Sequence, residues 1–175
     1  IVLPAEHVSG DLLESYHTLC EPVLEAFDRM DIGASFSEEP RDGIYEPACY
    51  LRPIHPAHDI IVGGAKISGN AQYRQRDVVI QHGSITYESD PSRHLACFDD
   101  HGIDTATFTE RVTDVRSHSS LTRADTVAAI EGALAEWVDA TEGEWLGSEL
   151  RDARELAELK YRSVSWNRDG DDPTK

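Results

Sequence analysis

Apolar residues recur at three- and four-residue steps in the first part of the chain. This spacing places side chains on one face of a helix, and it runs through Leu12, Leu13, Tyr16, Leu19, Cys20, Val23, Leu24, Phe27 and Met30. Ser and Asp are favoured helix N-caps, and Gly commonly follows the last helical turn. The pattern therefore predicts an amphipathic helix that begins near Ser9 to Asp11 and ends at Gly33.

Two short apolar runs in the middle of the chain, residues 58–62 and 65–68, are joined by Gly63-Gly64. A two-residue glycine turn between such runs predicts a β-hairpin. Residues 78–87 are predicted to form a third strand, and the opening residues the end of another. Between the helix and the hairpin, residues 35–56 are predicted to be loop with short extended pieces. The reason is their content of chain-breaking residues, Pro40, Gly43, Pro47, Pro53 and Pro56.

Helical patterns return in the second half of the chain. Asp90-Pro91 predicts the start of a short helical turn, whereas residues 111–113 are predicted to end a strand. Thr122 and Asp125 have the spacing of a capping box ahead of a helix. Ser148 is predicted to cap a last helix, whose inward face would carry Leu150, Ala153, Leu156 and Leu159.

These elements together predict an α+β fold, with an antiparallel or mixed β-sheet and α-helices packed on it. A chain of 175 residues can bury one sizeable core. We therefore predict a single domain over residues 1–167, followed by a polar, frayed tail over residues 168–175.

Charge and cysteine content narrow the class of protein. The formal net charge of −17 would repel nucleic acid and anionic membranes, so neither is an expected partner. Strong acidity with only three lysines is typical of a cytoplasmic protein from a high-salt organism, whose stability should rise with molar salt. No apolar run reaches the about 18 residues of a membrane span. Three irregularly spaced cysteines fit a reducing cytoplasm better than a disulfide framework.

Lys66 is the first candidate for chemistry, because it lies near Gly64 and Gly69, where backbone can approach a ligand closely. A fixed ammonium there could bind a carbonyl or phosphate oxygen, although an exposed hairpin lysine is the simpler alternative. His82 is interpreted as a half-buried wall of the same site. A metal site at His55, His58 and Asp59 is a weaker possibility, and no metal ligands are assigned.

The three cysteines receive different interpretations. Cys20 and Cys97 lie on apolar faces and are predicted to be core residues. Cys49 stands in the proline-rich loop before the hairpin, where a nearby cation would favour its thiolate and make it a nucleophile for an acyl group. An incidental role for Cys49 remains open on spacing alone.

Three runs of sequence carry a family resemblance. Residues 59–72 read Asp-Ile-Ile-Val-Gly-Gly-Ala-Lys-Ile-Ser-Gly-Asn-Ala-Gln, and residues 81–85 read Gln-His-Gly-Ser-Ile. They resemble the catalytic core of the lipoate-protein ligase A and octanoyltransferase family of biotin/lipoate A/B protein ligases. Residues 156–167 are similar to the family's Glu-Glu-Lys-Tyr-x-Ser-x-x-Trp-Asn ending. Two of the three lysines lie in these motifs, which favours a functional Lys66.

The resemblance implies the catalytic-domain fold of biotin/lipoyl protein ligases and acyl transfer to a lysine of a lipoyl carrier domain. Such domains occur in the E2 subunit of 2-oxoacid dehydrogenases and in the glycine-cleavage H protein. Lys66 corresponds to the invariant family lysine, which implies binding of the acyl carbonyl or acyl-phosphate oxygen. The implied substrate slot is formed by Gly64, Gly69, Asn70, Ala71, His82 and Gly83.

Two chemistries share this scaffold. A ligase forms lipoyl-adenylate from lipoate, ATP and Mg²⁺, whereas a cysteine-dependent transferase takes octanoate from an acyl-carrier thioester without a further cofactor. Cys49-Tyr50 is similar to the Cys-Phe pair of the transferases, and His58-Asp59 to the Asn-Asp pair of the ligases. The sequence leads us to favour the ligase, with the Cys49 transferase as the alternative.

The resemblance covers residues 1–167 but not the family's earlier Arg-Arg-x-x-Gly-Gly-Gly-x-Val-x-His-Asp segment. The sequence therefore predicts an N-terminally incomplete catalytic domain, with a separate chain as one way to complete it. A non-catalytic module that only binds lipoyl carrier domains is a further alternative.

Overall fold

Helix α1 spans Leu12–Arg29 in a computed structural model that describes residues 1–8 and 11–175. The Asp11 carboxylate accepts hydrogen bonds from the N–H groups of Leu13 and Glu14, and the Glu14 carboxylate accepts one from the Asp11 N–H. This capping box fixes where the helix begins. Ser9, at the early edge of the predicted start, lies outside the described residues. The C-cap is Met30, so the predicted end at Gly33 was three residues late.

Five strands form one fully antiparallel sheet in the order β1-β5-β4-β3-β2. The strands are β1 (Val2–Pro4), β2 (Ser35–Phe36), β3 (Asp59–Val62), β4 (Ala65–Gln75) and β5 (Val78–Ile85). The predicted hairpin is confirmed, because Gly63 and Gly64, at φ angles of 58° and 85°, connect β3 to β4. Strand β4 runs seven residues beyond the predicted end at residue 68.

A β-bulge interrupts the pairing of β3 with β4. Ile60 pairs with Ser68 and Ile61 with Lys66, so Ile67 is an extra residue on β4. As a result Ala65, Lys66, Ile67 and Ser68 are all buried, instead of alternating between the core and solvent. The bulge thereby places a lysine in the interior of the sheet.

The helices after the sheet are α2 (Pro91–Leu95), α3 (Thr105–Arg111), α4 (Arg123–Trp137) and α5 (Gly147–Leu156). The capping box at Thr122 and Asp125 is confirmed. The predicted strand ending at residues 111–113 was wrong, since α3 occupies Thr105–Arg111 and only Val112 makes a single bridge to Lys66. The Asp104 carboxylate caps α3 through the Thr107 N–H, a local signal that we did not use.

The core lies between α1 and the sheet, and helix α4 packs against α1. Cys20 and Phe27 of α1 are fully buried with Ile60 and Ile67 of the sheet. A second cluster joins Leu51 of the proline-rich loop to Phe108 and Val112. The predicted α+β class with packed helices is confirmed, and no helix in the described residues is long and apolar enough to cross a membrane.

Residues 1–140 and residues 141–175 form two compact units, and the predicted domain over residues 1–167 extends across both. In the second unit Ser148 lies inside α5 and does not cap it, and the Leu150, Leu156 and Leu159 side chains are exposed, contrary to prediction. Also in this unit, the Lys160 Nζ binds Asp172 Oδ2 at 2.7 Å. The same ammonium lies 4.1 Å from the centre of the Trp166 ring.

Candidate active site

Lys66 is a buried cation on β4, and only 6% of its surface is exposed. Its Nζ lies 3.1 Å from Asp59 Oδ1 and 3.5 Å from the Pro53 carbonyl oxygen. The Thr113 N–H also donates to the Lys66 carbonyl at 2.9 Å, so at this residue β4 is hydrogen-bonded on the edge that is not paired with β3. The alternative of an exposed hairpin lysine is therefore wrong.

Asp59 is the carboxylate that compensates this charge, and it is 2% exposed. The His55 N–H donates to Asp59 Oδ2 at 2.8 Å, and the His58 Nδ1 lies 3.6 Å from Oδ1. Burial raises the pKa of the Asp59 carboxyl, but the contacts from His58, the His55 N–H and Lys66 outweigh burial and hold its pKa below the ordinary value. Asp59 is therefore ionised at neutral pH and fixes the position of the Lys66 ammonium.

Replacing Asp59 with asparagine is expected to lower the free energy of unfolding by about 3 kcal/mol at pH 7, because the buried Lys66 loses its counter-ion. Since the folded-state pKa of Asp59 is lowered, its stabilisation is present above the ordinary value of 3.8 and is lost as pH falls through the folded-state pKa. Urea unfolding of both proteins at pH 7 and toward pH 3 measures this. A difference that is constant over that range would contradict the ion pair.

Gly83 allows close packing beside this pair. A Cβ on Gly83 would overlap Asn70 Oδ1, whereas a Cβ on Gly69 would lie 3.4 Å from Asp59 Oδ1, an ordinary van der Waals distance. Asn70 is 9% exposed, and its Nδ2 donates to the His58 carbonyl at 2.9 Å. Gly83 is thus the residue that lets Asn70 brace the segment before Asp59.

A groove of about 470 Å³ opens above Lys66 and brings together seven of the eight residues predicted for the site. These are Cys49, Lys66, Gly69, Asn70, Ala71, His82 and Gly83. The eighth, Gly64, lies in the hairpin turn, where its carbonyl accepts a bond from Arg41 Nη1, and it is absent from the described lining of the groove. Gly64 therefore shapes the turn and not the slot.

His82 lies on β5 opposite Ala71 and is exposed, although a half-buried position was predicted. It nevertheless lines the groove as predicted. In residues 1–8 and 11–175, no three His, Cys, Asp or Glu side chains are close enough together to hold a metal ion. Since Asp59 binds Lys66 and the His55 N–H, the metal alternative at His55, His58 and Asp59 is not supported.

Cys49 begins a short 3₁₀ turn, Cys49–Leu51, and its side chain is exposed. The turn is anchored by Ala48 and Leu51, which are 1% and 0% exposed. The Leu51 N–H bonds to the Ala48 carbonyl at 2.9 Å. Cys49 is therefore an accessible thiol on a turn that is anchored by buried residues. It lines the same groove as the Lys66 cation.

The other two cysteines differ from Cys49. Cys20 is buried as predicted, and burial raises the pKa of its thiol to about 11. Cys97 was predicted to be a core residue, but it follows the short helix α2 and is exposed. Of the cysteines in this chain, Cys49 alone is among the described residues that line the groove.

Sequence reasoning missed the partnership of Asp59 with Lys66. Both residues stood in the same motif, but Asp59 was considered as a metal ligand and as part of the ligase-like His58-Asp59 pair, not as a partner of Lys66. The available signal was the hairpin: a two-residue turn pairs Ile61 with Lys66, and in a regular hairpin this puts Asp59, two residues before Ile61, on the same face of the sheet as Lys66. A lone lysine and a lone carboxylate at such positions would have predicted an ion pair.

Known proteins match this chain in sequence. Residues 1–136 match the model of the lipoyl protein ligase A/B catalytic domain. The chain is 33% identical over 175 residues to octanoyltransferase LipM of Kyrpidia tusciae, covering 90% of this chain and 62% of that protein. The chain thus spans about three fifths of the length of this curated relative.

Two solved structures share the fold. A lipoate-protein ligase A bound with ATP gives a TM-score of 0.71 at 20% identity, over 95% of this chain and 62% of that one. A bi-partite lipoate protein ligase from Thermoplasma acidophilum, studied with its E2 lipoyl domain, gives a TM-score of 0.70 at 19% identity, over 95% of this chain and 61% of that one. At these identities the likeness concerns the fold.

Proposed function

Because the chain belongs to the lipoyl protein ligase A/B catalytic domain family, we propose that it carries an octanoyl group from a thioester donor, through Cys49, to a lysine of a lipoyl carrier domain. The carriers would be the E2 subunit of 2-oxoacid dehydrogenases and the glycine-cleavage H protein. The observation that carries this proposal is an exposed Cys49 thiol in the same groove as the buried Lys66 cation.

The proposal places the transferase ahead of the ligase that the sequence alone favoured. Relatives that match this chain, among them those of Kyrpidia tusciae and Bacillus subtilis, carry the name octanoyltransferase LipM. A transferase of this kind needs an accessible nucleophile beside a group that stabilises an oxyanion. Cys49 and Lys66 are suited to these two roles.

In the first step the Cys49 thiolate attacks the carbonyl carbon of the donor thioester. The new bond joins Sγ to the acyl carbon, the bond from that carbon to the donor sulfur breaks, and the departing thiolate takes up the proton that Cys49 lost. Negative charge develops on the carbonyl oxygen as the bond forms. The Lys66 ammonium, held in place by Asp59 at 3.1 Å, would donate a hydrogen bond to that oxygen.

In the second step the amine of the carrier lysine attacks the same carbonyl carbon. An amide bond forms, the bond from Cys49 Sγ to the acyl carbon breaks, and the amine's proton returns to the thiolate. The oxyanion develops again at the same place. One fixed ammonium can therefore serve both half-reactions.

The ATP-dependent ligase, which would use lipoate and Mg²⁺, is the alternative within the family. Among the described residues that line the groove, Asp59 is the sole carboxylate, and its oxygens bind Lys66 and the His55 N–H. Mg²⁺ prefers free carboxylate oxygens and phosphates. The residues of this groove therefore do not fit a Mg²⁺ held by the protein alone, and the ligase would have to hold it through the phosphates of ATP.

The intact mass of a lipoyl carrier domain tests the proposal. The carrier is incubated with the protein and an octanoyl thioester, or with the protein, lipoate, ATP and Mg²⁺. A gain of one octanoyl group without ATP is the expected result. A lipoyl gain that requires ATP would instead support the ligase, and carrier binding with no gain from either donor would support the non-catalytic module.

A further inference from the structure

His58 lines the groove together with Cys49 and Lys66, and it has no part in the two half-reactions. The second half-reaction requires an uncharged amine, because an ammonium has no lone pair with which to attack the acyl carbon. The ordinary pKa of a lysine is about 10.4, so the carrier lysine carries a proton at neutral pH. A base that removes this proton is therefore needed where the carrier lysine enters the groove.

The two ring nitrogens of His58 have different surroundings. Nδ1 is buried, has no hydrogen-bond partner in residues 1–8 and 11–175, and lies 3.6 Å from Asp59 Oδ1. This distance is too long for a hydrogen bond, but the ionised carboxylate favours a proton on the nitrogen that faces it. Nε2 makes no hydrogen bond to the described residues, and unlike Nδ1 it retains accessible surface. In the neutral ring the lone pair is therefore on Nε2, the nitrogen that a ligand can reach.

The His58 ring is held in place by two aromatic neighbours. The His55 ring stacks on it, with the ring centres 5.1 Å apart and the planes within 5°, and the centre of the Tyr16 ring lies 5.2 Å away. Both neighbours are themselves fixed. The Gln72 N–H donates to the Tyr16 hydroxyl at 2.9 Å, and the Ala57 N–H donates to His55 Nδ1 at 3.1 Å. A nitrogen with so little freedom is suited to proton transfer, which depends on orientation.

His58 is also better placed than the other groups of the groove that could accept a proton. The Asp59 oxygens already bind Lys66 and the His55 N–H. His82 lies on β5, and no carboxylate of the described chain lies within ion-pair distance of it. His58 Nδ1 and Lys66 Nζ approach the same oxygen, Asp59 Oδ1, at 3.6 and 3.1 Å. The imidazole therefore lies next to the ammonium that would hold the acyl oxygen.

We propose that His58 Nε2 removes the proton from the ammonium of the carrier lysine, so that the free amine can attack octanoyl-Cys49. The inference rests on the proposed function and adds a catalytic residue to its second half-reaction. The N–H bond of the ammonium breaks, the proton forms a bond to Nε2, and the nitrogen keeps the electron pair. The proton then passes to solvent at the exposed part of the ring, which restores the neutral imidazole.

The charges around His58 favour this direction of proton transfer. Lys66 already places one cation in the groove, and a second ammonium beside it is disfavoured by repulsion between like charges. The positive charge that the imidazole acquires is compensated by Asp59, which faces Nδ1. The carrier lysine therefore loses its charge where Lys66 opposes it, and the ring gains charge where Asp59 stabilises it.

His58→Asn tests the proposal, because the asparagine amide can occupy the place of Nδ1 beside Asp59 but supplies no base. The protein is first loaded as octanoyl-Cys49 by a thioester donor, which also shows that the variant folds. Loss of the octanoyl group is then followed by intact mass, with a lipoyl carrier domain or with hydroxylamine, which is uncharged at neutral pH. Transfer to the carrier should slow about 100-fold, and the reaction with hydroxylamine should not change. An equal effect on both nucleophiles, or no effect on either, would overturn the proposal.

The pH dependence of transfer gives a second readout. The titratable groups that contact His58 or share its carboxylate are Tyr16, His55, Asp59 and Lys66, and all of them remain in the variant. Without His58, only a carrier lysine that has already lost its proton in solution can react. Its uncharged fraction rises about 100-fold between pH 7 and pH 9, so transfer by His58→Asn should rise much more steeply than transfer by the unmodified protein. Parallel pH profiles would contradict base catalysis by His58.

His101→Asn is the matched control. His101 Nδ1 accepts a hydrogen bond from the Ile103 N–H at 3.0 Å, which an asparagine oxygen can also accept, and His101 is not among the described residues that line the groove. Transfer to the carrier and the reaction with hydroxylamine should both be unchanged in this variant. Slowing of transfer as large as that in His58→Asn would show a general effect of histidine loss and would overturn the assignment.

The outcomes also separate this inference from the proposed function. If the unmodified protein transfers octanoate through Cys49 and His58→Asn does so equally well, the transferase stands and the base is wrong. If no octanoyl-Cys49 forms, the transferase is wrong, and the two proteins are compared in carrier lipoylation with lipoate, ATP and Mg²⁺. There the carrier lysine must lose the same proton, so equal rates, or no lipoylation by either protein, would overturn the base as well.

Discussion

Replacing Lys66 with alanine is expected to abolish acyl transfer, with kcat reduced by at least about 100- to 1,000-fold. The reason is that a single fixed ammonium lies in the groove and would stabilise the oxyanion in both half-reactions. The pairing with Asp59 at 3.1 Å holds this donor in position before the substrate binds, so its orientation costs little during the reaction. The measurement is the rate of octanoyl gain on a lipoyl carrier domain.

A loss of activity must be separated from a loss of fold, because Lys66→Ala leaves the buried Asp59 carboxylate without its cation. The double variant Lys66→Met/Asp59→Asn removes both charges and retains the shapes of the side chains. It should recover much of the stability lost in either single variant, yet remain inactive. Transfer at near-normal rate in this double variant would contradict the role given to Lys66.

A matched control uses another lysine of the same chain. Lys175 is the last residue of the second unit and is not among the described residues that line the groove, so its replacement by alanine should leave both transfer and stability unchanged. If Lys175→Ala lowered transfer as much as Lys66→Ala, the effect would reflect the general charge of this acidic protein and not the groove.

Local sequence rules predicted the elements that local chemistry determines. The start of α1, the turn at Gly63-Gly64 and the capping box of α4 each depend on residues close together in the chain. The glycines adopt positive φ angles without a steric penalty, and the capping carboxylates satisfy free N–H groups at a helix start. No long-range information is needed for any of these features.

Burial was the main source of error. Whether Cys97 faces the core, or whether Leu150 and Leu156 of α5 face inward, depends on which other elements lie against them. A periodic pattern gives the face of a helix but not its partner. The motif likewise could not show that the extra residue Ile67 turns Lys66 into the interior, because bulges depend on strand pairing.

Helix α3 shows a different error, because here the type of element was wrong. Residues 105–111 have threonine and phenylalanine, which favour strands, and a strand was predicted there. The structure forms a helix, capped by Asp104, that buries Phe108 beside Leu51 and Leu95. Capping and tertiary packing together outweighed the intrinsic preference of the residues.

Cys49→Ser is expected to reduce octanoyl transfer from a thioester donor by about 1,000-fold or more. A serine hydroxyl in the same position is a far weaker nucleophile than a thiolate, because it does not ionise at neutral pH. Because Cys49 is exposed at the start of the Cys49–Leu51 turn, the substitution should leave the free energy of unfolding nearly unchanged. The measurement is the intact mass of the protein and of the carrier domain.

The same variant separates the two chemistries of the family. In a transferase the unmodified protein gains one octanoyl group from the donor, and Cys49→Ser loses that gain together with transfer to the carrier. Cys97→Ser is the matched control, since Cys97 is the other exposed cysteine and is not among the described residues that line the groove with Lys66. Full activity in Cys49→Ser together with inactivity in Lys66→Ala would point to chemistry without an enzyme nucleophile, because, of these two residues, only Lys66 is required by both routes.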